Sequence, residues 1–146
     1  MQIKIVNKSN NPMPEYKTVG AAGMDIRADF SQENVSSQQI DGFGWLTVPT
    51  GIYMEVPKGY YAQVMSRSGL AFKQSIEAFN GVIDSDYRGE IKVLLKNMSP
   101  IPKNIKDGER IAQILIKPVA QPTLTEVDEL SNTDRGEGGF GSTGKH

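Results

Sequence analysis

Short runs in which apolar and polar residues alternate make up most of this chain, each a few residues long and closed by glycine or proline. Alternation with period two puts successive side chains on opposite faces of a strand. The pattern predicts strands at 2–6, near 24–28, and at 45–48, 52–56, 60–66, 76–83, 91–97, 110–117 and 123–128. Pro49, Pro57, Pro100, Pro102, Pro118 and Pro122 fall between these runs, where a missing N–H removes no ladder bond. Many short strands with turn residues between them predict an all-β sandwich or barrel. A single stretch reads as helix, because Leu70 to Ser75 are helix formers behind a serine able to act as N-cap. Segment 30–44 is polar and rich in Ser, Gln and Asn before Gly42-Phe43-Gly44-Trp45. It reads as a surface hairpin or loop, with Trp45 as a packing residue.

Composition narrows the chemistry. A length of 146 residues suits one domain, and 16 basic against 17 acidic residues give a net charge of -1. No overall field draws such a chain to nucleic acid or an anionic membrane, so an anionic ligand needs locally placed cations and amides. The chain has no cysteine, and its single histidine is the terminal His146. Thiolate chemistry, a Ser-His-Asp triad and a histidine metal site are thereby set aside. The first residues read as a strand rather than a signal peptide, and no apolar run reaches the ~20 residues of a membrane span. The expectation is a cytoplasmic protein with no membrane or nucleic-acid partner.

Three stretches carry candidate chemistry. Gly81-Val82-Ile83-Asp84-Ser85-Asp86-Tyr87-Arg88-Gly89 sets two carboxylates and a tyrosine between glycines, as the tip of a hairpin arm would; by itself Asp-Ser-Asp also suits an ordinary turn. Arg67 and Ser68 stand at the predicted helix start, where unpaired N–H groups and the helix dipole favour phosphate. The tail from Arg135 to His146 is glycine-rich yet includes an arginine, Phe140 and the pair Ser142-Thr143, groups able to clamp phosphate and stack on a base. A disordered end is the plainer reading of such a tail. Gly139 to Lys145 matches the spacing of a P-loop, but His146 stands where Ser or Thr is needed and no helix follows.

In order along the chain come Ala22-Gly23-Met24-Asp25, Arg67-Ser68-Gly69-Leu70-Ala71, Gly81 to Gly89, Gly108-Glu109-Arg110-Ile111-Ala112-Gln113 and Arg135 to Gly144. This series resembles the five-motif pattern of the homotrimeric dUTP pyrophosphatases, the dUTPases. The resemblance implies a jelly-roll-like β barrel over residues 1–134 with one short helix, and a flexible arm at 135–146 that closes a neighbouring subunit's active site. It implies hydrolysis of dUTP to dUMP and pyrophosphate with Mg²⁺, which limits uracil in DNA and supplies dUMP. By motif, Asp84 matches the aspartate that activates the attacking water, and Tyr87 the ring that excludes a 2′-hydroxyl. Asn80, Gly81, Val82, Ile83 and Lys92 fall with the base- and substrate-binding arm, which reads uracil through backbone groups. Arg67, Ser68 and Gly69 match the phosphate-binding turn, and Gln113 a polar residue near the water and metal shell. Asp25 matches an indirect, water-mediated metal contact, with Mg²⁺ held mainly by the triphosphate. Arg135, Phe140, Gly141, Ser142 and Thr143 match the arm's contacts with phosphate and uracil.

This chain has Ala78 where some family members carry a base-contacting asparagine, and a longer stretch between Asp25 and Arg67. That extra length lies in loop 30–44, which offers a surface for contact with another protein. A dCTP deaminase shares the resemblance in fold, but Leu94 stands near where its catalytic glutamate is needed. A regulatory binding module on the same fold is the reading from a different class.

Overall fold

The protein is described here from a computed structural model, which covers residues 1–139. Its strands are β1 (Lys4–Asn7), β2 (Met24–Arg27), β3 (Ser37–Ile40), β4 (Trp45–Val48), β5 (Ile52–Glu55) and β6 (Tyr60–Met65), followed by helix α1 (Ser68–Gln74). After the helix come β7 (Ile76–Ala78), β8 (Val82–Ile83), β9 (Val93–Asn97), β10 (Lys103–Lys106) and β11 (Arg110–Pro118). All pairings are antiparallel and form four small sheets, ordered β1-β5, β10-β3, β2-β11-β6-β8 and β4-β9-β7. The all-β class with one short helix, expected from the sequence, is observed.

Alternation builds the core. Val93, Leu95 and Asn97 of β9 point inward while Leu94 and Lys96 face outward, and Ile52 and Met54 of β5 do the same against β1. Phe30, Ile26, Ile40, Ile76, Ile91, Ile105, Ile111 and Ile114 are fully buried. Each such side chain stabilises the fold by about 1.5–3 kcal/mol relative to exposure.

Four expectations need correction. Segment 30–44 is not wholly a surface loop: Phe30 and Ile40 are core residues, and β3 pairs with β10 from Lys103↔Ile40 to Lys106↔Ser37. Both strands bury one side chain on a single face, Ile40 and Ile105, so their polar sequences conceal the period. The predicted strand 76–83 is two strands: β7 pairs with β9 and β8 with β6, and Phe79 to Gly81 cross between sheets. The predicted strand 123–128 does not form; Leu124, Val127 and Leu130 are exposed, and no described strand pairs with them. Lastly, no serine caps α1. Arg67 occupies the N-cap without a side-chain hydrogen bond, while the Ser66 hydroxyl accepts from Ala78 N–H at 2.8 Å and donates to its carbonyl at 3.0 Å. The helix ends at Ser75, whose N–H still bonds the Ala71 carbonyl at 3.0 Å while its φ of 57° turns the chain out of the helix.

Asn97 ties the segment after β3 to the barrel. It is fully buried, and its amide nitrogen donates to the carbonyls of Asp41 (3.1 Å) and Ile101 (2.8 Å). Its oxygen accepts from the N–H and hydroxyl of Ser99. Trp45 packs on a cation, not in the core: it is exposed, with Lys96 Nζ 4.6 Å above its ring. Among the described residues no helix is long and apolar enough to cross a membrane.

Candidate active site

The Gly81–Gly89 stretch forms an arm at the edge of the four-stranded sheet. β8 pairs with β6 through Ala62↔Ile83 and Gln63↔Val82 and, among the described residues, has no strand on its other side. One row of its backbone N–H and C=O groups is therefore free to meet a ligand. A cleft of about 530 Å³ opens here, lined by Val64, Gly81, Val82, Ile83, Asp84, Tyr87, Glu90, Ile91 and Lys92. The Asp84 carboxylate is exposed, and its carbonyl accepts the Tyr87 N–H at 3.2 Å, which closes the turn at the tip. The Tyr87 hydroxyl donates to the Glu90 carbonyl at 2.9 Å. Glu90, absent from the sequence-derived site, accepts at Oε1 from the N–H groups of Thr50 (3.1 Å) and Gly51 (2.9 Å), which fastens the arm to the β4–β5 turn. Its other oxygen lies 3.8 Å from Lys92 Nζ. Asn80 is exposed beside the cleft mouth, and open space surrounds the Cα of Gly81.

A second cluster gathers on the same sheet. Asp25, Gln113 and Met65 are directly opposed across β2, β11 and β6, so their side chains share one face. Gly23 permits this packing, since a Cβ there would lie 2.9 Å from Leu115 Cδ1 and 3.1 Å from Gln113 Cβ. The Asp25 carboxylate is 6% exposed and lies between two guanidinium groups, with Arg110 Nη1 2.9 Å from Oδ2 and Arg67 Nε 3.0 Å from Oδ1. The Arg67 Nε–H does not point squarely at Oδ1, so this second contact is an ion pair without a completed hydrogen bond. Arg67 also donates from Nη1 to the Arg110 carbonyl at 2.9 Å. Arg110 too is absent from the sequence-derived site, although it stands in the motif that contains Gln113. Ser68 and Gly69 are exposed at the start of α1, and nothing stands within 4 Å of the position a Cβ would take on Gly69.

The arm cleft does not include Asp25, Arg67, Arg110 or Gln113 in its lining. β2 is three strands from β8, about 14 Å at the usual spacing. Arg135 is exposed and donates from Nε to the Gly138 carbonyl at 2.8 Å. Phe140, Gly141, Ser142 and Thr143 lie outside the described residues. Among the described residues no group of three or more His, Cys, Asp or Glu side chains is placed to hold a metal ion. The clear pKa shifts belong to two surface glutamates: hydrogen bonds from Lys17 and Lys4, then their charge, hold Glu15 and Glu55 below the ordinary carboxylate value.

The model of the dUTPase family matches residues 9–144. The chain belongs to the dUTPase family. It is 44% identical over 146 residues to the deoxyuridine 5′-triphosphate nucleotidohydrolase of Finegoldia magna, covering 99% of each chain. Identity to the enzyme of the same name from Cytophaga hutchinsonii is 51% over 145 residues, 98% of this chain and 92% of the relative. The dUTPase of Staphylococcus bacteriophage 80alpha, determined with dUPNHPP, superposes with a TM-score of 0.87 at 27% identity and covers 98% of both chains. A mutant dUTPase from phage phi11 of S. aureus, for which coordination of a structural Mg(II) ion is described, shares the fold at a TM-score of 0.79 and 22% identity, over 88% of this chain and 98% of its own. The sheets described above are thus the jelly-roll-like β barrel of the dUTPases.

Proposed function

We propose that this chain hydrolyses dUTP to dUMP and pyrophosphate, with Asp84 as the base for the attacking water. The observation that carries this reading is the cleft at the β8 edge, where an exposed carboxylate, a free row of backbone groups and the Tyr87 ring converge. The free edge offers backbone donors and acceptors to a base, and the ring bounds the space for the sugar. In-line attack at phosphorus needs a base on the nucleophile and positive charge on the transferring oxygens. Asp84 supplies the first, and Arg67 with the open backbone at Ser68 and Gly69 supplies the second.

Asp25 acts through Arg67 and Arg110, because both its oxygens already face guanidinium groups. The donor set therefore suits a magnesium ion that arrives on the triphosphate with its own waters, in keeping with the ion's reluctance to dehydrate. The chain's role toward Mg·dUTP is to hold and orient it.

The separation of Arg67 and Asp25 from the Asp84 arm supports a site completed between copies in a homotrimer. The tail from Arg135, with Phe140, Gly141, Ser142 and Thr143, then closes the site as a lid. Pyrophosphate release with Mg²⁺ from dUTP, dTTP, dCTP and UTP, measured side by side with ammonia assayed in the dCTP sample, tests the reading. Release from dUTP alone supports it; ammonia from dCTP, or no release from a folded protein, overturns it.

A further inference from the structure

We propose that Gly89 and Glu90 are positioning residues that set sugar specificity by fixing the pose of the Tyr87 ring. The inference rests on the reading that this cleft takes a 2′-deoxyribonucleotide.

Tyr87 is only partly covered, with 44% of its surface exposed. A ring exposed to this degree would ordinarily sample several rotamers, and a mobile wall is a poor gauge of a single hydroxyl. Two neighbours remove that freedom. The phenol folds back over Gly89, where a Cβ would lie 2.5 Å from Tyr87 Cζ and 2.9 Å from Cε2, with the hydroxyl oxygen nearer still. The ring therefore occupies the space that any other residue at 89 would fill. The backbone at Gly89 has no left-handed φ, so the requirement for glycine here is one of room and not of conformation. Beyond it, the Glu90 carbonyl accepts the phenol hydroxyl at 2.9 Å.

Glu90 is itself anchored. Its Oε1 takes the N–H groups of Thr50 and Gly51, and the Thr50 hydroxyl donates to the Ile91 carbonyl at 2.5 Å. The path from ring to barrel thus runs Tyr87 hydroxyl, Glu90 carbonyl, Glu90 carboxylate, then the β4–β5 turn. Glu90 and Tyr87 line the same cleft as Asp84. Displacing the phenol moves the wall away from the sugar side without touching the base-reading edge of β8.

The test is kcat/KM for dUTP and UTP in the full chain, for wild type, Gly89→Ala, Tyr87→Ala and Gly89→Ala with Tyr87→Ala. A pocket with no polar partner for an added hydroxyl discriminates against it by about a hundredfold. Gly89→Ala is expected to lower the dUTP/UTP ratio about tenfold, with thermal stability little changed because the clash falls on the end of an exposed side chain. In the Tyr87→Ala background Gly89→Ala is expected to have no further effect on the ratio, as the ring it acts through is gone. Glu90→Ala is expected to lower the ratio and Glu90→Gln to retain most of it, since the amide oxygen can still accept from Thr50 and Gly51. An unchanged ratio in Gly89→Ala, or equal drops with and without the tyrosine ring, overturns the inference while leaving dUTP hydrolysis standing. If Gly89→Ala does not fold, Tyr87→Phe decides the hydrogen-bonded half: a ratio equal to wild type overturns it. A wild-type chain that releases no pyrophosphate from dUTP overturns the reading beneath and the inference with it.

Discussion

Asp25→Asn separates a structural ion pair from a metal contact. The side chain keeps its size but loses its charge, and one of its oxygens becomes a donor facing an arginine. The carboxylate is 6% exposed, its partners Arg67 and Arg110 22% and 39%. Breaking a buried pair by removing one partner costs about 3–5 kcal/mol, whereas exposed pairs are worth about 0.2–1 kcal/mol. With Arg110 more than a third exposed, its share is screened, and a total of about 3 kcal/mol is expected. At about 2–4 °C per kcal/mol for a chain of this size, thermal unfolding without metal shifts down by about 6–12 °C. Differential scanning fluorimetry in EDTA reads the shift. Steady-state kinetics should show a raised KM for dUTP, as Arg67 loses its brace, and an unchanged Mg²⁺ requirement. A carboxylate belonging to the metal shell behaves in the opposite way, because in the metal-free protein it is an unneutralised charge. An unfolding temperature within a degree of wild type, together with a raised Mg²⁺ requirement, would refute the brace.

Asp84→Asn should retain nucleotide binding by calorimetry while turnover falls about 10²–10⁴-fold, the usual contribution of a general base; near-normal rates would remove Asp84 from that role. Deleting residues 135–146 should leave the unfolding transition in place and abolish pyrophosphate release. Asn97→Ala removes the partner of two well-placed carbonyls and of Ser99, and chemical denaturation should read a loss of about 2–4 kcal/mol. By NMR titration Glu55 should lose its proton below the ordinary carboxylate range, and Lys4→Ala should return it upward, since the Lys4 hydrogen bond is the first cause of the shift. The pairing favours the fold above the unfolded-state pKa and is lost as pH falls through the lowered one.

The sequence exposed those parts of the fold whose strands bury several apolar residues on one face, such as β5, β6, β9 and β11. β3 and β10 were invisible because each buries a single isoleucine and otherwise consists of polar residues whose backbone, not side chains, makes the contact. The false strand at 123–128 has the converse cause: its residues favour a strand, but pairing needs a neighbour, and propensity carries no information about one. The motifs single out Asp84, Tyr87 and Arg67, of which the structure brings Asp84 and Tyr87 to the arm cleft and Arg67 to Asp25. Glu90 and Arg110 were not, because they act by holding other residues through bonds to Thr50, Gly51 and Asp25, which are distant in sequence.

The distance between the Asp84 arm and the Arg67–Asp25–Arg110 cluster also bears on inheritance. If, as proposed, each site draws its base from one chain and its arginine from another, a lesion is felt according to how chains mix. A population of which half carries Asp84→Asn and half Arg67→Ala, each inactive alone, regains about a quarter of its sites. A chain bearing both lesions, diluted equally with wild type, leaves about a quarter intact, where a chain bearing one leaves about half. On that proposal two changes on one chain spoil two sites each time that chain assembles, so the doubly mutated chain is the more dominant.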